Sequence, residues 1–290
     1  MKVDFFIVGA PKAGTTSLYH YLNEHPKIIM SKEKEPDYFS HEALKNQNIY
    51  YYNMQIDTEE KYHSLFNVER DDSILGEASV SYLFYEDVPA KIKQYNKHAK
   101  IIIVLRNPIE RAYSHYLMDF RLGLVQNTFE EIIYRGSSVS KDFELHYQQY
   151  IEVSQYFSQI ERYLKIFGKE NIHIIDYEDL QKDQEAVLKN IFLFLEVETD
   201  YQANIKKEYN TFSMSKYSII NWFYSFFLFR RIVKFILPKK ILKIITTFFF
   251  QKNKKPILSF DTRFYLQNLF KKDIQQLGVI LNKDFSKWIK

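Results

Sequence analysis

The chain has 290 residues, of which 46% are hydrophobic and 26% are charged, the usual proportions of a soluble globular protein. It contains no cysteine, which excludes disulfides, thiolate metal sites, iron–sulfur clusters and cysteine nucleophiles. The net charge of +4 is unevenly spread, because residues 209–260 hold ten Lys or Arg and no acidic residue. The rest of the chain therefore carries a net charge of −6.

The first residues, MKVDFFIVGAPKAG, lead straight into an apolar strand pattern. A signal peptide has a longer apolar segment and a small-residue cleavage site, so we expect no secretion by that route. The longest uncharged run of the basic segment, residues 217–229, is shorter than the about 20 residues that a membrane span needs. We therefore predict a cytoplasmic protein, with peripheral contact on the inner face of the membrane as an open alternative.

The apolar run at residues 3–8 predicts a buried parallel strand, and a helix is predicted after the turn at residues 15–23. Short strands are predicted at residues 28–30 and 74–75. Further along the chain the pattern predicts strands at residues 101–105 and 172–175, and helices at residues 88–96, 108–121, 150–167, 183–195 and 261–277, the last capped by Asp261 or Thr262.

Strands that alternate with helices are typical of βαβ units. We predict an α/β protein, a P-loop-like three-layer fold with a central, mostly parallel sheet flanked by helices and a helical C-terminal elaboration. Residues 1–290 are predicted to form a single domain, in which residues 209–260 are a basic, aromatic-rich helical insertion.

The segment GAPKAGTT, residues 9–16, follows the first strand and opens the first helix; we call it the phosphate loop. Gly9 and Gly14 keep the four-residue gap of a Walker A loop, whose backbone N–H groups wrap an anion. The lysine that usually follows the second glycine is replaced by Thr15, and Lys12 lies inside the loop instead. The alternative is a tight turn with a hydroxyl cap and a solvent-facing lysine.

These residues carry a family resemblance. PKAGTTSL after FFIVGA resembles the 5′-phosphosulfate loop of sulfotransferases that use 3′-phosphoadenosine 5′-phosphosulfate (PAPS), and VLRNPIERAYSHY (residues 104–116) is similar to their 3′-phosphate motif. KEPDYF, GEASVSYLF, YEDL and KPILSFDTRFYLQNLFKKDIQQL match in order across nearly the whole chain. The pattern is more similar to heparan-sulfate-type and bacterial carbohydrate sulfotransferases than to the cytosolic enzymes that act on small phenols.

The resemblance implies a donor site made from the phosphate loop and from the second motif. Its expected donor-binding residues are Lys12, Ala13, Gly14, Thr15, Thr16, Ser17, Arg106 and Ser114, with Lys254 and Lys255 closing over the 3′-phosphate end. The donor would be PAPS and the product 3′,5′-adenosine diphosphate (PAP), with no metal, since no group of His, Asp or Glu has metal-ligand spacing.

Arg106 also stands out by its position, directly after the predicted strand at residues 101–105. Ligands bind at the carboxyl ends of strands in open α/β sheets, and the planar guanidinium suits a phosphate dianion. The alternative is that Arg106 pairs with Glu110 while Ser114 lies on the helix surface. Arg111 is interpreted as structural.

Sulfuryl transfer to a hydroxyl needs a general base, and a cation at the leaving oxygen. Lys12 is the candidate cation. Glu77, predicted directly after the strand at residues 74–75, is the candidate base, in agreement with the resemblance of GEASVSYL to the family segment that carries the catalytic Glu. A solvent-exposed strand-end carboxylate is the alternative, and His25 and His115 are rival bases.

Two further features concern the acceptor. Lys34 and Glu35 in KEP are candidate acceptor-binding residues, with a plain charged loop as the alternative. Residues 217–250 alternate aromatic runs with basic residues, which fits helices packed on the core, a membrane-surface segment or a cleft for an acidic glycan. Nucleic acid is not expected, and the sequence gives no oligomeric state.

The predicted function is transfer of a sulfuryl group from PAPS to an acceptor hydroxyl on a carbohydrate or glycolipid. Two rivals remain open at this point: a P-loop nucleotide kinase or triphosphatase, and a non-catalytic protein that binds a membrane surface. The missing lysine after Gly14 argues against the first rival.

Overall fold

The computed structural model describes residues 1–49, 56–67, 72–135, 141–201, 214–215, 250–251 and 256–289. Its centre is a five-stranded sheet in the order β2-β3-β1-β4-β5, in which every pair of neighbours is parallel. The strands are β1 Phe5–Gly9, β2 Ile28–Met30, β3 Ile74–Ala78, β4 Lys100–Leu105 and β5 Ile172–Asp176. The predicted α/β class with a parallel sheet is confirmed.

Helices connect and cover these strands, as the parallel order requires. They are α1 Thr15–Asn23, α2 His41–Gln47, α3 Glu59–His63, α4 Val88–Tyr95, α5 Pro108–Leu122, α6 Phe129–Arg135, α7 Lys141–Tyr150, α8 Tyr156–Phe167, α9 Tyr177–Lys182, α10 Gln184–Leu195 and α11 Phe260–Leu281. Short 3₁₀ turns occur at Tyr38–Ser40, Glu152–Ser154, Lys169–Asn171 and Ser286–Ile289.

The two central strands supply the core of the sheet. All five residues of β1 are buried, and so are the last five residues of β4. Such continuous apolar runs are expected where helices cover both faces of a parallel sheet. Because β1 lies between β3 and β4, the segments that follow these three strands emerge side by side at the carboxyl edge of the sheet.

Three predicted elements differ from the structure. The helix predicted at residues 150–167 is interrupted, because the Asp273 carboxylate accepts the N–H groups of Tyr156 (2.8 Å) and Phe157 (3.0 Å) and so starts α8 there. The cap of α11 is Ser259, whose hydroxyl accepts the Thr262 N–H at 3.1 Å, rather than Asp261 or Thr262. Strand β3 continues past residue 75 to Ala78.

The chain divides into two compact units. The first comprises Met1–Arg111, Val153–Tyr209 and Gln267–Lys290 and contains the five-stranded sheet. The second comprises Ala112–Glu152 and Asn210–Leu266. Within the second unit, the Tyr150 hydroxyl donates to Asp119 at 2.9 Å and the Thr262 hydroxyl donates to Glu130 at 3.0 Å. The prediction of a single domain stays a prediction.

Most of the basic segment, residues 209–260, lies outside the described residues. Its described residues include two short antiparallel strands, β6 Met214–Ser215 and β7 Phe250–Gln251, where the sequence predicts a helical insertion. The helices predicted within residues 217–250 lie outside the described residues, except for Phe250, which belongs to β7. Among the helices that the structure does describe, none has the length and apolar character to cross a membrane.

Candidate functional site

The phosphate loop has the backbone of an anion-binding turn. It leaves β1 after Gly9, and its Ala10 N–H donates to the Val104 carbonyl at 2.8 Å, so the loop is tied to the neighbouring strand β4. Helix α1 begins at Thr15, directly after the N-cap Gly14. Since glycine has no side chain to accept the first N–H groups, this helix N-terminus presents them to an anion together with its positive dipole end.

Gly14 is required by its position. Its φ of 84° lies in the left-handed region, and a Cβ there would lie 2.9 Å from the Tyr177 ring. Lys12 also has a positive φ, of 66°, which turns the loop and makes its carbonyl available to a donor from outside the loop. The predicted loop of two glycines with an internal lysine is therefore a real turn between β1 and α1.

Arg106 joins the two predicted donor-binding motifs. It follows β4, and its Nη1 donates to the Lys12 carbonyl at 2.7 Å. Its guanidinium carbon lies 4.7 Å from the centre of the Tyr177 ring, and the Tyr156 hydroxyl donates to its carbonyl at 3.0 Å. In the described part of the chain the guanidinium makes no ion pair, so the alternative of pairing with Glu110 is not what the structure shows.

The structure does not bring three of the predicted PAPS-binding residues together with Arg106 and the phosphate loop. Ser114 lies on α5 in the second unit, whereas Arg106 belongs to the first, so their joint role stays a prediction. Lys254 and Lys255 lie outside the described residues. Thr16 and Ser17 lie in the first turn of α1, next to the buried Thr15.

Glu77 is enclosed, which differs from the prediction. The sequence predicts this carboxylate directly after a strand, but it lies inside β3 and is 0% exposed. Its Oε1 accepts the Ser79 hydroxyl at 2.5 Å, and its Oε2 accepts the hydroxyls of Tyr62 (2.5 Å) and Tyr82 (3.2 Å). Burial raises the pKa of Glu77 to about 7, although the three hydroxyl donors act in the opposite direction.

Glu35 lies in a more open position at the same edge of the sheet. It belongs to the segment that follows β2, residues 31–37, which we call the β2 loop. Its N–H donates to the Ala78 carbonyl, the last residue of β3, at 2.9 Å. Its side chain is 45% exposed and pairs with the Lys34 ammonium group, whose side chain is only 16% exposed, so Glu35 is the more accessible member of a charged pair on the carboxyl edge.

Asp37 is a third carboxylate of this region. Its N–H donates to the Ser79 hydroxyl at 3.0 Å, and its Oδ1 accepts the Ser81 hydroxyl at 2.6 Å. Burial raises the pKa of Asp37, and together with the negative charges of Glu35 and Glu77 it brings this pKa to about 8. The hydroxyls of residues 79 and 81 thus connect the β2 loop to the segment that follows β3.

The rival bases have structural roles. His25 is 2% exposed. Its Nε2 lies 2.9 Å from the Glu198 carbonyl, and its Nδ1 accepts the Lys27 N–H at 3.1 Å, so both ring nitrogens are hydrogen-bonded. His115 is also 2% exposed, and its Nδ1 lies 3.2 Å from the Gln149 carbonyl. Arg111 is fully buried and donates to Ser154 at 2.6 Å, as its structural interpretation predicts.

The family model described as "Sulfotransferase domain" matches residues 2–223, more than half of the chain. The chain belongs to the sulfotransferase family. This confirms the resemblance that the phosphate loop and the Arg106 motif predict.

Individual members of the family show how far the similarity extends. A solved sulfotransferase structure from Alicyclobacillus acidocaldarius is 27% identical, with a TM-score of 0.75 over the whole of both chains. The bifunctional heparan sulfate N-deacetylase/N-sulfotransferase 4 of Mus musculus is 30% identical over 204 residues, which cover 68% of this chain and 22% of that protein. The membrane-associated sulfotransferase kil1 of Dictyostelium discoideum is 23% identical over 272 residues, covering 67% and 56% respectively. This sulfotransferase chain therefore spans from about a fifth to about half of the length of these two curated relatives.

Sequence reasoning about this sulfotransferase missed three residues that the structure brings into the site. Tyr177 packs on both Gly14 and Arg106. The hydrogen bond between the Asp37 N–H and the Ser79 hydroxyl joins the β2 loop to the segment that follows β3. All three lie within the quoted motifs YEDL, GEASVSYLF and KEPDYF, so the signal was their membership of those motifs. Within the described residues no group of three His, Asp or Glu could hold a metal ion.

Proposed function

We propose that the protein transfers a sulfuryl group from PAPS to an acceptor hydroxyl on a carbohydrate or glycolipid. The observation that carries this proposal is the hydrogen bond from Arg106 to the Lys12 carbonyl, at 2.7 Å. This bond ties a guanidinium, which is suited to a phosphate dianion, to the loop that leads into a helix N-terminus suited to a second anion. Two adjacent anion sites fit a donor with a 3′-phosphate and a 5′-phosphosulfate.

The donor would be held by residues of both motifs. The N–H groups of Gly14, Thr15 and Thr16 would bind the phosphosulfate, with Ala13 and Ser17 completing the loop. Arg106 would bind the 3′-phosphate, with Ser114 as its proposed partner. Lys254 and Lys255 remain proposed contacts to the same end of the donor.

We propose Glu35, rather than Glu77, as the general base. A base must come within hydrogen-bond reach of the proton that it removes. Both oxygens of Glu77 already accept hydroxyls in a fully buried cluster, whereas Glu35 is partly exposed at the carboxyl edge of the sheet. The Lys34 ammonium next to Glu35 is then suited to orient the acceptor.

The chemical step is an in-line displacement at sulfur. The acceptor oxygen forms the new O–S bond while its proton passes to the Glu35 carboxylate. The bond between sulfur and the bridging oxygen of the 5′-phosphate breaks, and the electron pair stays on that oxygen. Lys12 would stabilise the charge that develops there, which leaves PAP as the product.

Several features support a carbohydrate acceptor. The curated relatives include enzymes named for heparan sulfate N-sulfotransfer, although such names describe those proteins. Residues 217–250, which lie within the basic segment, would supply charge for an acidic glycan or for an anionic membrane on which a glycolipid lies. The cytoplasmic location remains a prediction.

Transfer of label from ³⁵S-PAPS tests the proposal. The acceptors are a polysaccharide with hydroxyl groups alone, a matched polysaccharide with unsubstituted amino groups, and a short-chain glycolipid. We expect label on a hydroxyl-only acceptor and release of PAP in equal amount. Label that appears only on the amino polysaccharide would overturn hydroxyl transfer, and no label on any acceptor at saturating PAPS would overturn the proposed activity.

A further inference from the structure

We infer that Glu77 is a positioning residue, which fixes the backbone of residues 35–39 through the hydroxyls of Ser79 and Tyr82. In this arrangement Glu77 would touch neither donor nor acceptor and would act through the loop that presents Glu35. The inference rests on the proposed function in one respect, since the loop matters for activity only if Glu35 is the base.

Each of the two hydroxyls donates one hydrogen bond and accepts another. The Ser79 hydroxyl donates to Glu77 at 2.5 Å and accepts the Asp37 N–H at 3.0 Å. The Tyr82 hydroxyl donates to Glu77 at 3.2 Å and accepts the Phe39 N–H at 3.2 Å. One buried carboxylate is therefore linked to two backbone N–H groups, which lie two and four residues after Glu35.

A carboxylate suits this position because it only accepts hydrogen bonds when ionised. Each hydroxyl has a single hydrogen, and if that hydrogen points at Glu77, a lone pair remains for the backbone N–H. An amide in place of Glu77 would offer a donor on one side, so one of the two hydroxyls would have to turn its hydrogen elsewhere. The network thus fixes the direction of both hydroxyls.

The loop needs such support because its backbone is strained. Glu35 has a φ of 62° and Asp37 a φ of 54°, and non-glycine residues in this left-handed region carry a conformational cost. Two such residues in three positions persist only where surrounding contacts hold them. The Glu35 N–H is held by the Ala78 carbonyl, and the N–H groups of Asp37 and Phe39 are held by the two hydroxyls that donate to Glu77.

Aromatic packing holds the other side of the same segment. The Tyr38 ring stacks on the Tyr62 ring with centroids 4.6 Å apart and an angle of 12° between planes. Tyr62 in turn donates its hydroxyl to Glu77 at 2.5 Å. The carboxylate therefore anchors residues 37, 38 and 39, the first and third through hydroxyls and the second through a stacked ring.

Ser79→Ala and Tyr82→Phe test the inference, because each removes one oxygen from one relay and leaves the rest of the side chain in place. We expect exchange of the Asp37 amide hydrogen in the first variant, and of the Phe39 amide hydrogen in the second, to accelerate about fivefold. We expect kcat to fall by about 10- to 100-fold in each variant, as for other residues that orient a catalytic group, with PAP affinity within about twofold of wild type.

Tyr150→Phe is the matched control, since Tyr150 is a fully buried tyrosine that donates to the buried Asp119 carboxylate in the second unit. It should lower thermal stability without changing exchange at residues 37 and 39. Wild-type exchange at these two amides in both variants, or wild-type kcat in both, would overturn the inference. If Glu35→Gln keeps full activity, the base assignment fails, and the exchange measurements still decide whether the relays hold the loop.

Discussion

Two carboxylates near the carboxyl edge of the sheet differ in what surrounds them, and this difference is the reason that we propose Glu35 rather than Glu77 as the base. Glu77 is enclosed by three hydroxyl donors, whereas Glu35 is partly exposed beside Lys34. A pKa of about 7 at Glu77 would suit a general base, but a proton cannot be removed from a hydroxyl that has no access. Access therefore counts for more than the pKa here.

Glu35→Gln should lower kcat by about 10² to 10⁴-fold, the usual contribution of a general base, because the amide cannot take the acceptor proton. PAP affinity should stay close to wild type, since Glu35 is not placed among the donor-binding residues. Steady-state kinetics and PAP titration measure the two effects separately.

Glu33→Gln is the matched control, because this carboxylate is exposed in the same loop and its carbonyl, not its side chain, accepts the Ser31 hydroxyl. It should retain wild-type kcat. Equal kcat in Glu35→Gln and the wild type would exclude Glu35 as the base.

The sequence predicts the residue types of the site better than their surroundings. Arg106 and the phosphate loop can be found because strand ends and glycine spacing follow local rules. The enclosure of Glu77 could not be predicted, because it depends on Tyr62, which is distant in sequence, and on the continuation of β3 to Ala78. Burial of a polar residue is a property of tertiary packing.

At the scale of elements, the connection between β1 and α1 forms the proposed donor site. Gly14 ends the phosphate loop with a φ of 84°, and Tyr177 at the start of α9 fills the space that a side chain would need. The same ring packs under the Arg106 guanidinium. The turn, the ring and the arginine are therefore one packed unit.

Gly14→Ala should weaken PAP binding by tenfold or more and lower the melting temperature, because the Cβ would lie 2.9 Å from Tyr177 on a backbone that disfavours alanine. Gly168→Ala is the control, since Gly168 also has a positive φ, of 77°, but a Cβ there would meet only the end of the Glu170 side chain. Gly168→Ala should lower the melting temperature and leave PAP affinity unchanged. Equal affinity in all three proteins would contradict the role of the turn.

Elements with local signals are predicted well, and those set by distant residues are not. Helix α1 and strand β2 occur at residues 15–23 and 28–30, where the local sequence pattern predicts them. The break before α8 depends on Asp273, more than a hundred residues away, whose carboxylate caps the new helix. No local pattern at residues 150–167 reports that contact.

For the whole molecule, we expect two carboxyls with raised pKa values, the fully buried Glu77 and the half-buried Asp37, to make stability depend on pH. Burial raises the pKa of Glu77 from 4.5 to about 7, and burial with neighbouring negative charge raises that of Asp37 from 3.8 to about 8. Between the unfolded and folded values the folded state binds more protons, so the free energy of unfolding decreases as pH rises through this range. Both groups therefore favour the folded state most below about pH 4.

Glu77→Gln should remove the part of the pH dependence of the unfolding free energy that comes from the Glu77 carboxyl. The difference in unfolding free energy between variant and wild type should change by on the order of 3 kcal/mol from pH 4.5 to pH 8, in the direction that favours the variant at high pH. Urea unfolding at a series of pH values measures it, with Glu33→Gln as the control. A pH-independent difference between Glu77→Gln and wild type would contradict the raised pKa of Glu77.

We propose that the phosphate loop and Arg106 together bind a nucleotide with a 3′-phosphate. Thermal unfolding with PAP and with ADP, each with and without Mg²⁺, tests it most directly. PAP at about 100 times its dissociation constant should stabilise the wild type by about 2.7 kcal/mol without Mg²⁺. Arg106→Ala should lose most of this effect, while Arg162→Ala, a control whose guanidinium donates to the Phe84 carbonyl, should keep it. Stabilisation by Mg-ADP and none by PAP would contradict the account.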